Sequence, residues 1–158
     1  MGLSGSGKST LGKILKNRLN KKYKIIHIDG DAIRKIYSDK LGHTIKDREI
    51  NAGRISRLTK YLSLQKSNII VSVLSNFPKW LKWNRKNLKN YYEIFLKTEM
   101  NILKNRRKKL YSKKIKNVVG LDIKYNEPKN PNFTIINCNS LKDMKKEANK
   151  IINKIKFN

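Results

Sequence analysis

Residues 2 to 10 read Gly2-Leu3-Ser4-Gly5-Ser6-Gly7-Lys8-Ser9-Thr10, and this stretch decides the fold. Residues Gly2 to Ser9 fit the pattern G-x-x-x-x-G-K-S of a phosphate-binding loop, or P-loop. The glycines let backbone N–H groups turn inward around a phosphate, and the helix that follows aims its unpaired N–H groups at the same anion. A glycine-serine linker would not explain the apolar helix that follows, so the motif predicts a nucleotide site.

Two side chains of the loop have specific roles in this motif. Lys8 supplies a positive charge to the β- and γ-phosphates, and the Ser9 hydroxyl is placed to ligate Mg²⁺. We therefore predict that Gly2 through Thr10 bind ATP, that Lys8 is catalytic and that Ser9 holds the metal. The predicted cofactors are ATP and Mg²⁺.

Strands alternate with helices along the rest of the chain. Branched apolar runs predict strands at 23–28, 68–74, 91–96 and 133–136. Apolar residues at helical spacing predict helices after the P-loop and at 32–37, 47–65, 101–114 and 141–155. This order predicts a single α/β domain over residues 1–158, of the P-loop NTPase type, with a parallel sheet covered by helices on both faces.

A P-loop normally follows a buried strand, whereas here only Met1 precedes it. We therefore expect a gap between inner strands of the sheet, with two unpaired edges. We also expect that the natural protein carries about five to eight further residues before Met1, the usual length of such a strand.

The formal charge of +27 suits an anionic partner, either a nucleotide substrate or a nucleic acid. The lysines are spread along the chain with few aromatic residues among them, so compositional bias explains them better and nucleic acid is not an expected partner. The one cysteine, Cys138, excludes an internal disulfide and suits a reducing compartment, which predicts a cytoplasmic protein. No apolar stretch is long enough to cross a membrane, and a membrane partner is not expected.

Two carboxylates follow the first predicted strand, at the edge where parallel sheets bind ligands. Asp29 and Asp31 can orient a hydroxyl nucleophile, accept its proton or hold Mg²⁺ through water. The alternative is an Asp-Gly turn in which Asp31 caps a helix. Arg34 lies one turn further on and would face the same site. GTPase and ABC-type ATPase signatures are both absent, so the early Asp-Gly-Asp favours a small-molecule kinase.

Other charged residues allow two interpretations. The basic run 106–109 suits either a lid that closes over the phosphates or a solvated helix face. Arg54 and Arg57 share one helix face and are either phosphate ligands or solvated surface. His27, inside a strand, is predicted to be a core residue, whereas His43, in a loop, is undecided.

Further motifs follow the P-loop in a fixed order. They are Asp29-Gly30-Asp31 with Arg34, Leu41-Gly42, Asp47-Arg48 with Asn51 and Arg54, Leu74-Ser75, Lys108 with Leu110-Tyr111, and Gly120-Leu121-Asp122 with Tyr125, Pro128 and Pro131. From the P-loop to about Phe133 the chain thus resembles the adenylylsulfate kinase (APS kinase) family. The resemblance implies transfer of the γ-phosphate of ATP to the 3′-hydroxyl of adenosine 5′-phosphosulfate (APS), a step of sulfate assimilation.

The resemblance also implies roles for single residues. Asp31, Lys8 and Ser75 would be catalytic, with Ser75 at the position of a possible phosphoserine in bacterial members. The implied substrate-binding residues are Asp29, Arg34, Arg48, Asn51 and Lys108, the last closing from a lid. The expected partner is a small-molecule nucleotide, and a homodimer is possible.

The chain departs from the family where the acceptor binds. His43 and Val118 stand where two family phenylalanines sandwich the adenine of APS, and Gly53 replaces an arginine. Each lost ring removes stacking worth about 1–3 kcal/mol. A related kinase for another nucleotide-like acceptor, such as cytidine diphosphoramidate, is therefore an alternative. A basic nucleic-acid-binding protein and a remnant without catalytic activity are the rivals from other classes.

Overall fold

The computed structural model describes residues 1–37, 39–75, 77–112 and 115–157. Its helices and strands are, in chain order, α1 Lys8–Leu19, β1 Ile25–Asp29, α2 Gly30–Ile36, α3 Ile45–Leu64, β2 Asn68–Ser72, α4 Pro78–Asn87, β3 Ile94–Lys97, α5 Met100–Arg106, β4 Phe133–Ile136 and α6 Leu141–Ile152. The predicted α/β class with parallel strands and helices on both faces is confirmed.

Local side chains mark the starts of α3 and α6. Thr44 accepts the N–H of Asp47 before α3, and the Asp47 carboxylate accepts the N–H of Thr44 in return, which forms a capping box. Ser140 accepts the N–H of Asp143 at the start of α6. These polar residues satisfy N–H groups that the helix itself leaves without partners, and so they fix where α3 and α6 begin.

The strands form two separate parallel pairs. β1 pairs with β2, with Ile25 opposite Asn68 and Asp29 opposite Ser72, and β3 pairs with β4. Within the described ranges β2 and β3 are not paired with each other. The gap that we expected in the sheet is therefore present.

Alternate strand residues pack on opposite faces of the β1–β2 pair. Ile26 and Ile28 join the core cluster formed with α2 and α3, together with Ile69 and Val71 of β2. Ile25 instead joins the cluster formed with α1 and α6. This alternation is what a strand with both faces covered requires, because successive side chains point to opposite sides.

The structure corrects several predicted bounds. Helix α4 was not predicted, although Pro78 at its first position is a common helix-start signal. The basic helix predicted at 101–114 ends at Arg106, and Arg107 already leaves the helical backbone region. Residues 113 and 114 of that prediction lie outside the described residues. The helix predicted from 47 begins two residues earlier, at Ile45.

Among the residues that the structure describes, no helix is both long and apolar enough to cross a membrane. Cys138 is buried against α6 and its neighbours, where it behaves as a small core residue.

We predict that Gly12→Ala destabilises the protein. A Cβ on Gly12 would lie 2.4 Å from Nε2 of His27 and 2.7 Å from Oγ of Ser72. An alanine in an open helix would add about 1 kcal/mol of helix propensity, but here the clash outweighs it and we expect a loss of about 1–3 kcal/mol in the free energy of unfolding. Urea unfolding measures the change, with Lys13→Ala on the exposed face of α1 as the control.

A stability equal to or above that of the parent protein would contradict the close approach of α1 to β1. The same contact places His27, predicted as a core residue, at 2.9 Å from Ser72. Burial lowers its pKa, as it should for an imidazole in this position.

Candidate active site

The P-loop wraps the amino end of α1. Gly5 and Gly7 have φ angles of +86° and +95°, in the left-handed region that glycine adopts without strain. Gly7 is the cap residue of α1, and no side chain caps the helix. The first turn also carries no acidic residue. The unpaired N–H groups there are thus available to an anion, which the helix dipole also attracts.

Lys8 reaches back over the loop that precedes it. Its Nζ donates a hydrogen bond of 2.8 Å to the carbonyl of Leu3. Burial lowers the pKa of Lys8 to about 8, although the carboxylates of Asp31 and Asp29 oppose the shift. The ammonium therefore rests on a neutral carbonyl, and a phosphate would give it the charged partner that it lacks.

Ser9, Asp29 and Asp31 form one polar group at the end of β1. Ser9 Oγ donates to Asp29 Oδ2 at 2.6 Å, and the N–H of Asp31 donates to Asp29 Oδ1 at 3.0 Å. Partial burial would raise the pKa of Asp29, but these hydrogen bonds and that from Ala32 outweigh it and lower the pKa. Asp29 therefore stays ionised at neutral pH.

The cap of α2 is Asp29 and not Asp31. The alternative interpretation had assigned the capping role to Asp31, and the structure corrects it. Within the described residues, no hydrogen bond or ion pair of the Asp31 carboxylate is found. Asp31 lines the cavity and can serve a ligand there.

The oxygen atoms of Ser9 and Asp29 suit Mg²⁺. Mg²⁺ prefers hard oxygen ligands and commonly uses one or two protein groups together with phosphate oxygens and water. The described residues contain no cluster of three or more His, Cys, Asp or Glu side chains that would form an all-protein metal site. The donor set thus fits a metal that arrives with a phosphate substrate.

A second wall of the site carries cations and amides from α2 and α3. Asn51 donates to the Gly30 carbonyl at 3.0 Å, which ties α3 to the start of α2. Its Oδ1 is buried without a partner in the described structure. Arg34 donates to the carbonyl of Gly42, and its buried Nε has no partner there either.

Arg48 connects the two sides of this wall. Its Nε donates to the His43 carbonyl at 2.8 Å and its Nη2 to the Asn117 carbonyl at 3.0 Å. Burial, together with the charges of Arg34 and Arg48, lowers the pKa of His43, so its imidazole is neutral at pH 7. A neutral imidazole can donate one hydrogen bond and accept another.

One cavity of about 960 Å³ brings most of the predicted residues together. Those that line it are Ser4, Gly5, Gly7, Lys8, Ser9, Thr10, Asp29, Asp31, Arg34, Arg48, Asn51 and Ser75. Ser75 follows β2 with a φ angle of +56°.

Four predicted residues do not line this cavity. Leu3 contributes its carbonyl to Lys8, Gly2 lies at the end of β3, and Ser6 is buried with its hydroxyl unpartnered in the described structure. Lys108 is exposed, so in this structure the segment after α5 does not bring it to the site.

Side chains from the segment at and after the end of α5 also hold the P-loop, and the sequence did not predict these contacts. Tyr111 donates its hydroxyl to the Ser4 carbonyl at 2.8 Å. Arg106 donates to the carbonyls of Gly5 at 3.2 Å and of Cys138 at 2.9 Å. The basic run 106–109 had marked the segment, but which member would contact the loop depends on where α5 ends.

Known proteins are similar to this chain in both sequence and fold. A family model described as adenylylsulphate kinase matches residues 1–136. The cytidine diphosphoramidate kinase of Campylobacter jejuni is 39% identical, with 98% of this chain and 92% of that protein covered. The adenylyl-sulfate kinase of Buchnera aphidicola is 33% identical, with coverage of 96% and 77%. The solved structure of the APS kinase of Mycobacterium tuberculosis in complex with AMPPNP and APS has a TM-score of 0.86 at 28% identity, with coverage of 97% and 92%.

We predict that Lys8 titrates near pH 8 in the free protein, because burial disfavours its charged form. NMR titration of the lysine side-chain carbons should therefore show one lysine with a midpoint near pH 8. Lys8→Arg should remove that signal, and the control variant Lys13→Arg should leave it in place. If no lysine titrates below about pH 9.5, more than halfway back to the ordinary value near 10.4, Lys8 is not buried as described.

Proposed function

This chain belongs to the adenylylsulphate kinase family, and from that premise we propose that it transfers the γ-phosphate of ATP to a ribose hydroxyl of a nucleotide acceptor. The observation that carries the proposal is the cavity in which the P-loop faces the Ser9–Asp29–Asp31 group on one side and Arg34 and Arg48 on the other. A phosphate donor and a charged acceptor can meet there.

ATP would bind on the side of the P-loop. The β- and γ-phosphates accept hydrogen bonds from the N–H groups of the loop and of the first turn of α1, and the Lys8 ammonium neutralises their charge. At pH 7 Lys8 is mostly protonated, since its pKa is about 8, and an anion in contact would raise that pKa. The Mycobacterium kinase was solved in complex with AMPPNP, which supports the same donor here.

Ser9 and Asp29 are the residues that would hold Mg²⁺, directly or through water. The ion would neutralise charge on the β- and γ-phosphates. Ser9 would turn its hydroxyl from Asp29 towards the ion, and the depressed pKa of Asp29 keeps that carboxylate charged for the purpose.

Asp31 is the proposed base. Its carboxylate accepts the proton of the acceptor hydroxyl as that oxygen bonds to the γ-phosphorus, and the bond from this phosphorus to the β–γ bridging oxygen breaks to release ADP. Arg34, Arg48 and Asn51 would hold the charged group of the acceptor, which places the hydroxyl near Asp31. Ser75 and Lys108 remain candidate residues for catalysis and substrate binding.

Two acceptors are candidates for this site, and they differ in their base. APS, with an adenine, is the acceptor that the family resemblance implies. Cytidine diphosphoramidate is the substrate named for the 39% identical Campylobacter protein, whose length this chain covers almost fully. We propose the cytidine compound as the better acceptor.

Side chains at the base position support this choice. Val118 is 4% exposed and packs with Leu103 and Tyr111 in a core cluster, so it offers no flat surface for stacking. His43 presents a neutral imidazole that can hydrogen-bond to a base edge. A site that recognises the base by hydrogen bonds favours a smaller pyrimidine with matching donors and acceptors over a purine that needs an aromatic clamp.

Two further properties belong to the same proposal. A kinase that draws on cellular ATP, with one buried thiol, fits the cytoplasm. A role in sulfate assimilation would follow only if APS proves to be the acceptor.

We predict a higher kcat/KM for cytidine diphosphoramidate than for APS, by at least about tenfold, because the adenine clamp is replaced. A coupled assay of ADP release with each acceptor measures it, and product analysis locates the new phosphate. His43→Phe should narrow the difference by improving the use of APS. Efficient APS phosphorylation by the unaltered chain would reverse the choice of acceptor, and ADP release with neither compound would argue against both.

Asp31→Asn should lower kcat by at least about a hundredfold while the Kd for ATP stays within about threefold, because a base acts on the acceptor in the transition state. Rapid-quench turnover and calorimetric ATP binding measure the two effects. Asp29→Asn is the matched control, and it should also weaken ATP–Mg²⁺ binding through the contact with Ser9. Equal losses in turnover and ATP binding for Asp31→Asn would make Asp31 a metal or structural residue.

A further inference from the structure

A tight turn at residues 3–6 begins the P-loop. The N–H of Ser6 donates to the Leu3 carbonyl at 3.2 Å, which closes a four-residue β-turn. Gly5, the third residue of this turn, has a φ angle of +86°, whereas Ser4 before it does not have a positive φ. A negative φ followed by a φ of about +80° is the pattern of a type II turn, in which glycine is preferred at the third position.

The peptide that joins Ser4 to Gly5 can take two orientations in such a turn. Type I and type II turns differ mainly in this central peptide, which is rotated by about 180° between them. Because a peptide is planar and trans, its C=O and its N–H point in opposite directions and rotate together. The orientation of the Ser4 carbonyl therefore decides which way the N–H of Gly5 points.

Tyr111 holds the Ser4 carbonyl in the orientation of the type II turn. Its hydroxyl donates to that carbonyl at 2.8 Å, and the residue is only 6% exposed. The ring packs with Leu103 and Val118 in a core cluster, which gives the hydroxyl a fixed position. Burial raises the pKa of Tyr111, although the charge of Arg107 opposes the shift, so the hydroxyl keeps the proton that it donates.

The N–H of Gly5 points away from Tyr111 and has no hydrogen-bond partner in the described parts of the chain. Gly5 lines the cavity together with Lys8, whereas Tyr111 does not. A second contact holds the next peptide of the loop, because Arg106 donates to the Gly5 carbonyl at 3.2 Å. An unpartnered backbone donor that faces a cavity beside a lysine ammonium suits a phosphate oxygen.

We propose that Tyr111 is a positioning residue for the phosphate donor: its hydroxyl holds the Ser4–Gly5 peptide in the type II orientation and so aims the N–H of Gly5 at a phosphate of the bound nucleotide. This inference rests on the donor site proposed above. Without the hydroxyl, the type I orientation becomes accessible, and the fraction of molecules that can bind falls. The apparent Kd for a nucleoside diphosphate then rises by the inverse of that fraction.

The test removes the hydroxyl with Tyr111→Phe, which keeps the ring in the core cluster. Tyr92→Phe is the matched control, because the Tyr92 hydroxyl also bonds to the backbone, accepting the N–H of Lys156 at 3.0 Å, but its partner is outside the P-loop. Relaxation dispersion of the backbone amides by NMR measures exchange between the two peptide orientations at Gly5 in the absence of ligand. Calorimetry gives the Kd for ADP with Mg²⁺.

Tyr111→Phe should introduce exchange at Gly5 that ADP suppresses, and it should raise the Kd for ADP by at least about fivefold, the effect expected for the loss of one hydrogen bond. Tyr92→Phe should introduce no exchange at Gly5 and should leave the Kd within about twofold of that of the unaltered chain.

Gly5→Ala tests the same peptide from its other side, since a φ angle of +86° is strained for alanine. This variant should also weaken ADP binding, and it should shift the NMR signal of the Tyr111 ζ-carbon, whose hydroxyl loses its partner, but not that of Tyr92. Tyr111→Phe combined with Gly5→Ala should bind ADP about as weakly as the weaker single variant, because both changes act on one peptide.

Three results would overturn the proposal. The first is a Tyr111→Phe variant without exchange at Gly5 and with a Kd within about twofold of that of the unaltered chain. The second is an equal loss in Tyr92→Phe, or additive losses in the double variant, since the effect would then be one of general stability. The third, which decides the matter if Tyr111→Phe does not fold, is an unshifted Tyr111 signal in Gly5→Ala. Failure of the proposed function looks different, because the unaltered chain would then not bind ADP.

Discussion

The hydrogen bond of 2.6 Å between the Ser9 hydroxyl and the Asp29 carboxylate is the contact on which the site depends. It joins the first turn of α1 to the carboxyl end of β1, so the P-loop and the sheet edge lie side by side before any substrate binds. The same carboxylate accepts the N–H of Asp31 and thereby starts α2. Because Asp29 satisfies both contacts, the carboxylate of Asp31 can face the cavity, and α2 carries Arg34 to the same place.

Charge in this site is arranged to receive an anion. Lys8 donates to the neutral carbonyl of Leu3, and burial lowers its pKa to about 8. Within the described ranges, the hydrogen bonds of Arg48 likewise go to backbone carbonyls, those of His43 and Asn117. Cations that contact only neutral carbonyls gain little electrostatic stabilisation from the protein and would gain more from a phosphate. Ligand binding and the ionisation of Lys8 are therefore coupled.

The two halves of the sheet stay together although β2 and β3 are not paired within the described ranges. Leu11 and Leu15 of α1 belong to the same core cluster as Leu96 of β3 and Ile135 of β4. α1 also packs against α6, β1 and β2. Packing of α1 and α6 thus holds the two strand pairs together in place of hydrogen bonds between β2 and β3. The P-loop lies where the two pairs meet.

The site, like the sheet, consists of two parts, a donor side and an acceptor side. The residues proposed to contact the donor phosphates come from one local motif, whereas the acceptor wall is assembled from α2, α3 and the segment around Asn117. The geometry of the donor side therefore follows from residues that are adjacent in the sequence. Under the proposed function, a substitution at a single acceptor-side position such as His43 would alter the choice of acceptor and leave the loop unchanged.

The sequence by itself determined the P-loop, the alternation of strands and helices, and the placement of Asp29 and Asp31 at the end of the first strand. These features depend on residues within a few positions of each other, through glycine conformation, apolar spacing and helix caps. It also led to the expectation of a gap in the sheet, and within the described ranges β2 and β3 are indeed unpaired. It missed α4, where Pro78 is a start signal but no side chain caps the helix, and it extended the basic helix beyond Arg106, where no sequence signal marks the end.

Only the tertiary structure decided which side chains meet. It assigned the cap of α2 to Asp29, placed Val118 in a core cluster and left Lys108 exposed. It also showed that Tyr111 and Arg106 hold the P-loop from a distant segment. These contacts join residues about a hundred positions apart, and their geometry is set by how the helices pack on the strands, which no local pattern in the chain records.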